Sequence, residues 1–350
     1  MHKGAVVAGT IRAASSRRRG ATTVVALVLT VAAAACGGSS SSGLAALCKG
    51  YSDLLVTAAV RKADATRTQL VLLHNDGRPA AVLTGDDVVA THPSFSPDGQ
   101  RVVFEEQAGA FAGAGPTASA LAVIGVDGKG LQRITGGASW SDDPADHHGG
   151  PYDLRPGWSP GGDTILFSHR EGATQELYTV RPGSRPTRLL AAPEGARDIV
   201  AAWSPDGRRI AFVRDVGTAK HPAQQLWTAG ADGRGAVMQA QFADAGNTSL
   251  LNLTWSPDGQ RVALAHPGPA RVAQPLRVLD VGTAGISSST VSSDLAWSRD
   301  GQRLYAWSSS ARGWQLTLLR LSGGAIADVH GLGPAGPYVG AAGLDATSCR

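Results

Sequence analysis

One five-residue phrase recurs down this chain and constrains its fold more than any other feature. It reads Phe95-Ser96-Pro97-Asp98-Gly99, Trp158-Ser159-Pro160-Gly161-Gly162, Trp203-Ser204-Pro205-Asp206-Gly207, Trp255-Ser256-Pro257-Asp258-Gly259 and Trp297-Ser298-Arg299-Asp300-Gly301. Successive serines are 63, 45, 52 and 42 residues apart. Repeats of ~40–50 residues that carry strands point to propeller blades. Each copy has a local logic. The aromatic ends one strand, and a tight turn follows in which Pro sets φ near about −65° and Gly supplies φ > 0. A β-rich run comes next, such as Arg101-Val102-Val103-Phe104 or Arg209-Ile210-Ala211-Phe212-Val213. A third strand (Gln175 to Val180, Gln225 to Trp227), a Gly-containing turn (Asp127-Gly128, Asp232-Gly233) and a short fourth strand complete the unit. Four antiparallel strands per repeat make a blade.

Five blades carry the phrase, and a sixth lacks its first strand. Residues 54–83 supply three strands of it: Leu54 to Thr57, Gln69 to Leu73, and a short run ending at Leu83. The missing inner strand is expected from the C-terminus, Tyr338-Val339-Gly340-Ala341-Ala342. The expected fold is therefore all-β: a six-bladed propeller of four-stranded antiparallel blades, its ring closed by a C-terminal strand. Such a closure leaves few open strand edges. Composition agrees. The 45 Gly and 19 Pro suit a turn-rich chain, while 43% hydrophobic residues and eight Trp argue against disorder.

The first 35 residues read as an export signal. Arg17-Arg18-Arg19 precede an apolar run, Ala21 to Ala35, which ends in small residues before Cys36. As a helix, fifteen residues would rise only ~22 Å, short of a ~30 Å hydrocarbon core. A positive start, a short apolar stretch and a small-residue cleavage site make a secretory signal. The cysteine directly after the small residues resembles the lipobox of bacterial lipoproteins, which implies that Cys36 is diacylated and becomes the mature N-terminus. The alternative is plain secretion with Cys36 unmodified. The Arg triplet leaves open a twin-arginine route. The expected organisation is a lipoprotein signal over 1–35, a lipidated Cys and flexible Gly/Ser linker over 36–47, and a propeller over 48–350.

Charge follows the same division. The formal net charge is +4, but Lys3, Arg12 and the Arg triplet lie in a segment with no acid, and from Cys36 onward 27 bases face 28 acids. Nucleic-acid binding needs a concentrated basic face, so that class is excluded. With Cys36 lipidated, Cys48 and Cys349 remain as an even pair at opposite ends of the propeller. Strand exchange between the termini would bring them together as a disulfide, where the other blades have their turn; the alternative is two free, buried thiols.

The repeats resemble the WD40-like PD40 repeats of the TolB-type six-bladed propeller, over roughly residues 51–345. A lipidated propeller also resembles the corresponding portion of actinobacterial lipoproteins that modulate sensor kinases. The resemblance implies a cell-envelope module that binds other proteins. The chain is thus read as a non-catalytic lipoprotein, a monomer held on the outer face of the cytoplasmic membrane, binding unknown envelope proteins and using no cofactor. Two alternatives stay open. One is a metal-dependent propeller enzyme, lactonase- or dehydrogenase-like; the other is an accessory sensor subunit that regulates a membrane kinase.

Candidate chemistry is sparse. Gly157-Trp158-Ser159-Pro160-Gly161 matches G-x-S-x-G, but a strand follows it where a nucleophile elbow needs a helix. Gly331 to Gly336 matches G-x-G-x-x-G without a strand–helix unit around it. Loop lengths say more. The phrase turns, and the turns between third and fourth strands, share one face and are short. The other connections share the opposite face and are long: 108–118, 136–154, 216–223, 241–250 and 266–274. Irregular loops on a rigid scaffold tend to carry recognition, so the face bearing 136–154 is the expected binding face. That loop holds Asp142, Asp143, Asp146, His147 and His148, which could ligate a divalent metal or form a solvated polar loop. His221 and His266 share its face. Trp140, outside any strand, is the candidate partner contact, whereas the tryptophans ending inner strands are expected in inter-blade packing.

Overall fold

A computed structural model describes residues 41–61, 64, 66–108, 118–136, 150–218, 223–242, 252–265, 276–281, 286–289, 294–310, 313–322, 325–334 and 338–349. The chain runs through helix α1 (Ser41–Leu47) into β1 (Asp53–Arg61), β2 (Thr68–His74) and β3 (Pro79–Val82). The second repeat gives β4 (Ala90–Phe95), β5 (Arg101–Ala108), β6 (Ala118–Gly125) and β7 (Gln132–Arg133). The third gives β8 (Tyr152–Trp158), β9 (Ile165–Glu171), β10 (Thr174–Val180) and β11 (Thr187–Leu190). The fourth gives β12 (Arg197–Trp203), β13 (Arg209–Asp215), β14 (Gln224–Gly230) and β15 (Val237–Phe242). The fifth gives β16 (Asn252–Trp255), β17 (Arg261–Ala265), β18 (Leu276–Asp280) and β19 (Ile286–Ser289). The sixth gives β20 (Leu295–Trp297), β21 (Arg303–Ser310), β22 (Gly313–Ser322) and β23 (Ala325–Pro334), and β24 (Tyr338–Ser348) ends the chain.

Each repeat is one antiparallel blade, its strands paired in chain order. The first blade has the order β24-β1-β2-β3, so the C-terminal strand is its inner strand. The register runs from Asp53↔Ser348 to Arg61↔Tyr338, and β24 also lies against β4 and β20. Cys48 and Cys349 are disulfide-bonded, with Cα atoms 5.0 Å apart. The bond sits where the other blades have their turn, and the Cys349 N–H donates to the Ser52 carbonyl beside it. Two details depart from expectation. Blades two and three are joined by a parallel bridge, Ser119↔Tyr152, into one eight-stranded sheet. Residues 41–47, expected as linker, form α1, whose Leu44 and Leu47 pack against the core between blades one and two. Among the described residues no helix is long and apolar enough to cross a membrane.

The core is divided among the seams between blades. Phe104 and Leu72 meet between blades one and two, and Phe167 and Val103 between two and three. Ile210 and Leu166 meet between three and four, and Val262 and Val213 between four and five. Leu304 and Ala263 meet between five and six, and Tyr305 and Leu55 between six and one. Burying a Leu or Phe side chain stabilises by ~1.5–3 kcal/mol, and this is the main term holding flat blades face to face. The sixth seam adds polar bonds: Tyr305 Oη donates to Asp53 (3.0 Å) and Trp307 Nε1 to Thr57 Oγ1 (3.0 Å).

The repeated turn shows why its residues recur. In blade two the Gly99 N–H donates to the Ser96 carbonyl (2.8 Å), the Arg101 N–H to Ser96 Oγ (2.9 Å), and the Gln100 N–H to Asp98 (3.0 Å). Ser and Asp thus satisfy the donors that the turn exposes. In blade three Gly161 replaces that Asp, and Asp163 accepts the Ser159 hydroxyl bond instead (3.1 Å). Gly99 is needed twice over. Its φ is +68°, and a Cβ there would lie 2.9 Å from Thr347 Oγ1 of the neighbouring blade and 3.1 Å from Leu44 of α1.

Candidate functional site

A cavity of about 230 Å³ runs down the centre, lined by residues of β4, β8, β12, β16, β20 and β24. A second, of about 610 Å³, opens toward the turn face, and Asp345 lines both. Three of the polar groups here, His92, Arg155 and Asn252, share one repeat position, three residues before the strand-ending aromatic. Blade by blade it is His92, Arg155, Val200, Asn252 and Asp294. His92 (φ 47°) and Arg155 (φ 54°) are the non-glycine residues with positive φ among those described. Each precedes a proline and marks a register shift in its inner strand. Such conformations cost ~1–3 kcal/mol each and persist only where the surroundings enforce them.

Glu105 enforces them. This β5 side chain is 1% exposed. Its carboxylate accepts Thr91 Oγ1 (2.8 Å), faces His92 Nδ1 at 2.9 Å, and accepts the backbone N–H of Arg155 from the next blade. Burial alone would push the Glu105 carboxyl up. The His92 charge and hydrogen bond, with the Arg155 charge and N–H, more than offset that and hold it at about 2. Burial lowers the Arg155 guanidinium, while the Glu105 and Asp294 charges oppose the fall. Asn252 donates to Asp294 (3.1 Å) on the far side of the channel. Two bulged strands are therefore stapled to one ionised carboxylate.

Asp345 behaves in the opposite sense. Its carboxyl accepts the Phe95 N–H (2.7 Å), Ser94 Oγ (3.1 Å) and the Ala346 N–H (2.8 Å). Burial outweighs these three bonds and pushes its pKa up to about 6. A carboxyl titrating there can exchange a proton near neutral pH. Further ion pairs stand near the start of inner strands: Asp198 with Arg214 (2.7 and 2.9 Å) and Asp153 with His169 (2.6 Å). Burial raises the Asp198 carboxyl despite Arg214, and the Asp153 bond raises the His169 ring.

Cys36, Trp140, Asp142, Asp143, Asp146, His147, His148, His221 and His266 all lie outside the described residues. Among the described residues no group of three or more His, Cys, Asp or Glu is placed to hold a metal ion. The tryptophans ending inner strands do pack between blades. Trp158, Trp255 and Trp297 are buried, each under an arginine of the preceding blade: Arg101 at 4.6 Å, Arg209 at 5.1 Å and Arg261 at 5.1 Å from the ring centres. Nothing in the local sequence marks His92, Glu105, Arg155 and Asp345 as a group. The available signal was a polar residue at one inner-strand position in four of five repeats, twice followed by Pro.

No family model matches the chain. A TolB homologue from Chlorobium luteolum is 28% identical over 139 residues, covering 39% of this chain and 27% of that protein. The chain thus spans about a quarter of the curated relative it matches. TolB from Acinetobacter baumannii superposes with a TM-score of 0.58 at 16% identity, over 84% of this chain and 66% of that one. The fold is a TolB-like β-propeller. A hydrazine synthase structure from Kuenenia stuttgartiensis shares it too (TM-score 0.57, 12% identity, 87% and 48% covered). At such identities the likeness speaks of fold alone.

Proposed function

We propose that this TolB-like propeller is an exported, lipid-anchored and non-catalytic binding module of the cell envelope, monomeric, with its irregular loop face presented to a partner protein. The observation that carries this is the difference between the two faces. On the turn face the Ser and Asp side chains of the repeated phrase are spent on their own turns. On the other face Asp153 and Asp198 stand near the start of inner strands, the bulged His92 and Arg155 follow inside the channel, and the described strands end there where the sequence has its long connections. A rigid ring with one varied face suits recognition. The disulfide supports an oxidising compartment, and the apolar run ending at Cys36 supports export and lipidation. The channel carboxylate Glu105 is engaged on every side, which favours a structural role over catalysis.

Site-specific photo-crosslinking in envelopes tests the reading. Ala173 lies in the exposed β9–β10 turn on the loop face, and Gln302 lies in the blade-six turn on the opposite face. A crosslinker at Ala173 should give a discrete adduct with an envelope protein, and one at Gln302 should not. Adducts from Gln302 alone, or from neither position, would overturn it. Substitution of Cys36 by Ser should abolish palmitate incorporation and release the chain from membranes; a membrane-bound, unacylated wild type would sink the anchor.

A further inference from the structure

At the turn level one device recurs at three of the six seams, and of the four seams between blades that both carry the phrase, the one between blades three and four lacks it. At three seams an arginine opening a blade's second strand lies over the tryptophan of the next blade. Its Nη2 donates to the carbonyl of that blade's turn glycine: Arg101 to Gly162 (3.3 Å), Arg209 to Gly259 (3.2 Å) and Arg261 to Gly301 (3.2 Å). Between blades three and four the same position is Thr164, too short to reach across. The receiving groups are nonetheless present, as Trp203 and Gly207. Trp203 is half-buried where its three counterparts are buried, and like Trp158 and Trp255 it lines the central cavity. Its Nε1 has no partner among the described residues, as is also true of Trp158 beneath Arg101, whereas Trp255 and Trp297 donate to backbone carbonyls of the preceding blade (3.2 and 3.3 Å). Arg181 has a guanidinium close to Thr164, but it is held by Asp163 and Thr164 (both 3.4 Å), and among the described residues no arginine lies over Trp203.

We infer that the seam between blades three and four is a binding site for a guanidinium group, an arginine side chain of a partner polypeptide that stacks on Trp203 and donates to the Gly207 carbonyl. The chemistry is the one the fold itself uses three times. A planar cation is attracted to the indole face, and the ring and carbonyl are fixed by neighbouring blades before any ligand arrives. The site lies on the turn level, so it stands independently of the loop-face reading.

Indole Nε1–H resonances of the full chain, labelled at tryptophan, provide the test. The probe is N-acetylarginine amide, with the citrulline analogue as a neutral isostere. Arginine amide should shift the Trp203 resonance and leave those of Trp255 and Trp297 in place. The citrulline analogue should bind at least ~3-fold more weakly, the scale of a modest cation–π contact. Thr164→Arg should fill the site from within and abolish the response. An unmoved Trp203 resonance at millimolar probe, equal shifts with both probes, or undiminished binding in Thr164→Arg would each overturn the inference. Should Thr164→Arg fail to fold, the comparison of probes and tryptophans in the wild type still decides it.

Discussion

Replacing Asp345 with asparagine should change how stability depends on pH, within a narrow window. The Asp345 carboxyl has a pKa of about 6 in the folded protein against 3.8 as its ordinary value. The folded state therefore holds this proton more tightly than the unfolded chain does. The stability it contributes is fully present below the lower value and is lost as pH rises through the higher one. Two units of difference correspond to ~3 kcal/mol. Asparagine keeps a carbonyl for the Phe95 N–H but gives up one acceptor, a loss of ~1 kcal/mol that does not vary with pH. The variant should accordingly be less stable than wild type by ~0.5 kcal/mol at pH 4, where part of the linkage is already lost, and more stable by ~2 kcal/mol at pH 7. Urea unfolding at pH 4, 5, 6 and 7, at fixed ionic strength, reads this difference directly, because every other carboxylate cancels between the two proteins. A difference that stays flat with pH, or a variant that loses ground as pH rises, would refute the reasoning.

Glu105→Gln should cost ~3–5 kcal/mol in urea unfolding at pH 7, because it leaves His92 and Arg155 facing a neutral amide inside the channel. Its sign against pH is the reverse of Asp345: the pKa is held at about 2 against 4.5, so its stabilisation is present above the upper value and is lost as pH falls toward the lower. The chain-entropy expression for the Cys48–Cys349 loop, 301 residues in separation, gives an upper value of ~5.7 kcal/mol. Cys48→Ser and the double serine variant should lose the same amount, and a single variant as stable as wild type would show that the bond contributes nothing.

The blades were legible because their signals are local. Ser-Pro-Asp-Gly carries its own turn bonds, and the strands around it alternate or run apolar as half-buried or buried strands must. The exchange of strands between the termini was legible for a different reason: one blade was a strand short and two cysteines flanked the gap. What the sequence did not reveal were groups whose role depends on another blade. Glu105 reads as one acid within Phe-Glu-Glu-Gln, and nothing in that run tells that it faces a bulge in its own blade and the backbone of Arg155 in the next. Asp345 lies beyond Tyr338 to Ala342, the apolar run that marks the closing strand, since β24 continues to Ser348. The Gly/Ser composition before Cys48 points to a linker, yet Leu44 and Leu47 give its end a reason to dock.

Set side by side, the seams at the turn level form a comparison that the protein makes within itself. Where arginine is present the next tryptophan is capped and buried. At the junction of blades six and one there is no phrase turn to receive it, so Arg303 turns back on Asp300 (2.8 Å), while Cys48–Cys349 joins the two termini of the first blade. That departure has its compensation in a covalent bond and in the Tyr305 and Trp307 hydrogen bonds. The seam at Thr164 has no comparable replacement, because Asp163 is committed to the turn that Gly161 left without its acid and Arg181 follows Asp163 outward. A repeat protein can leave a contact unmade at one seam when the apolar packing beneath it suffices, as Ile210, Leu166 and Phe212 supply here. The energy left unrealised at Trp203 is then available to an outside group, and its three filled counterparts state what that group must look like.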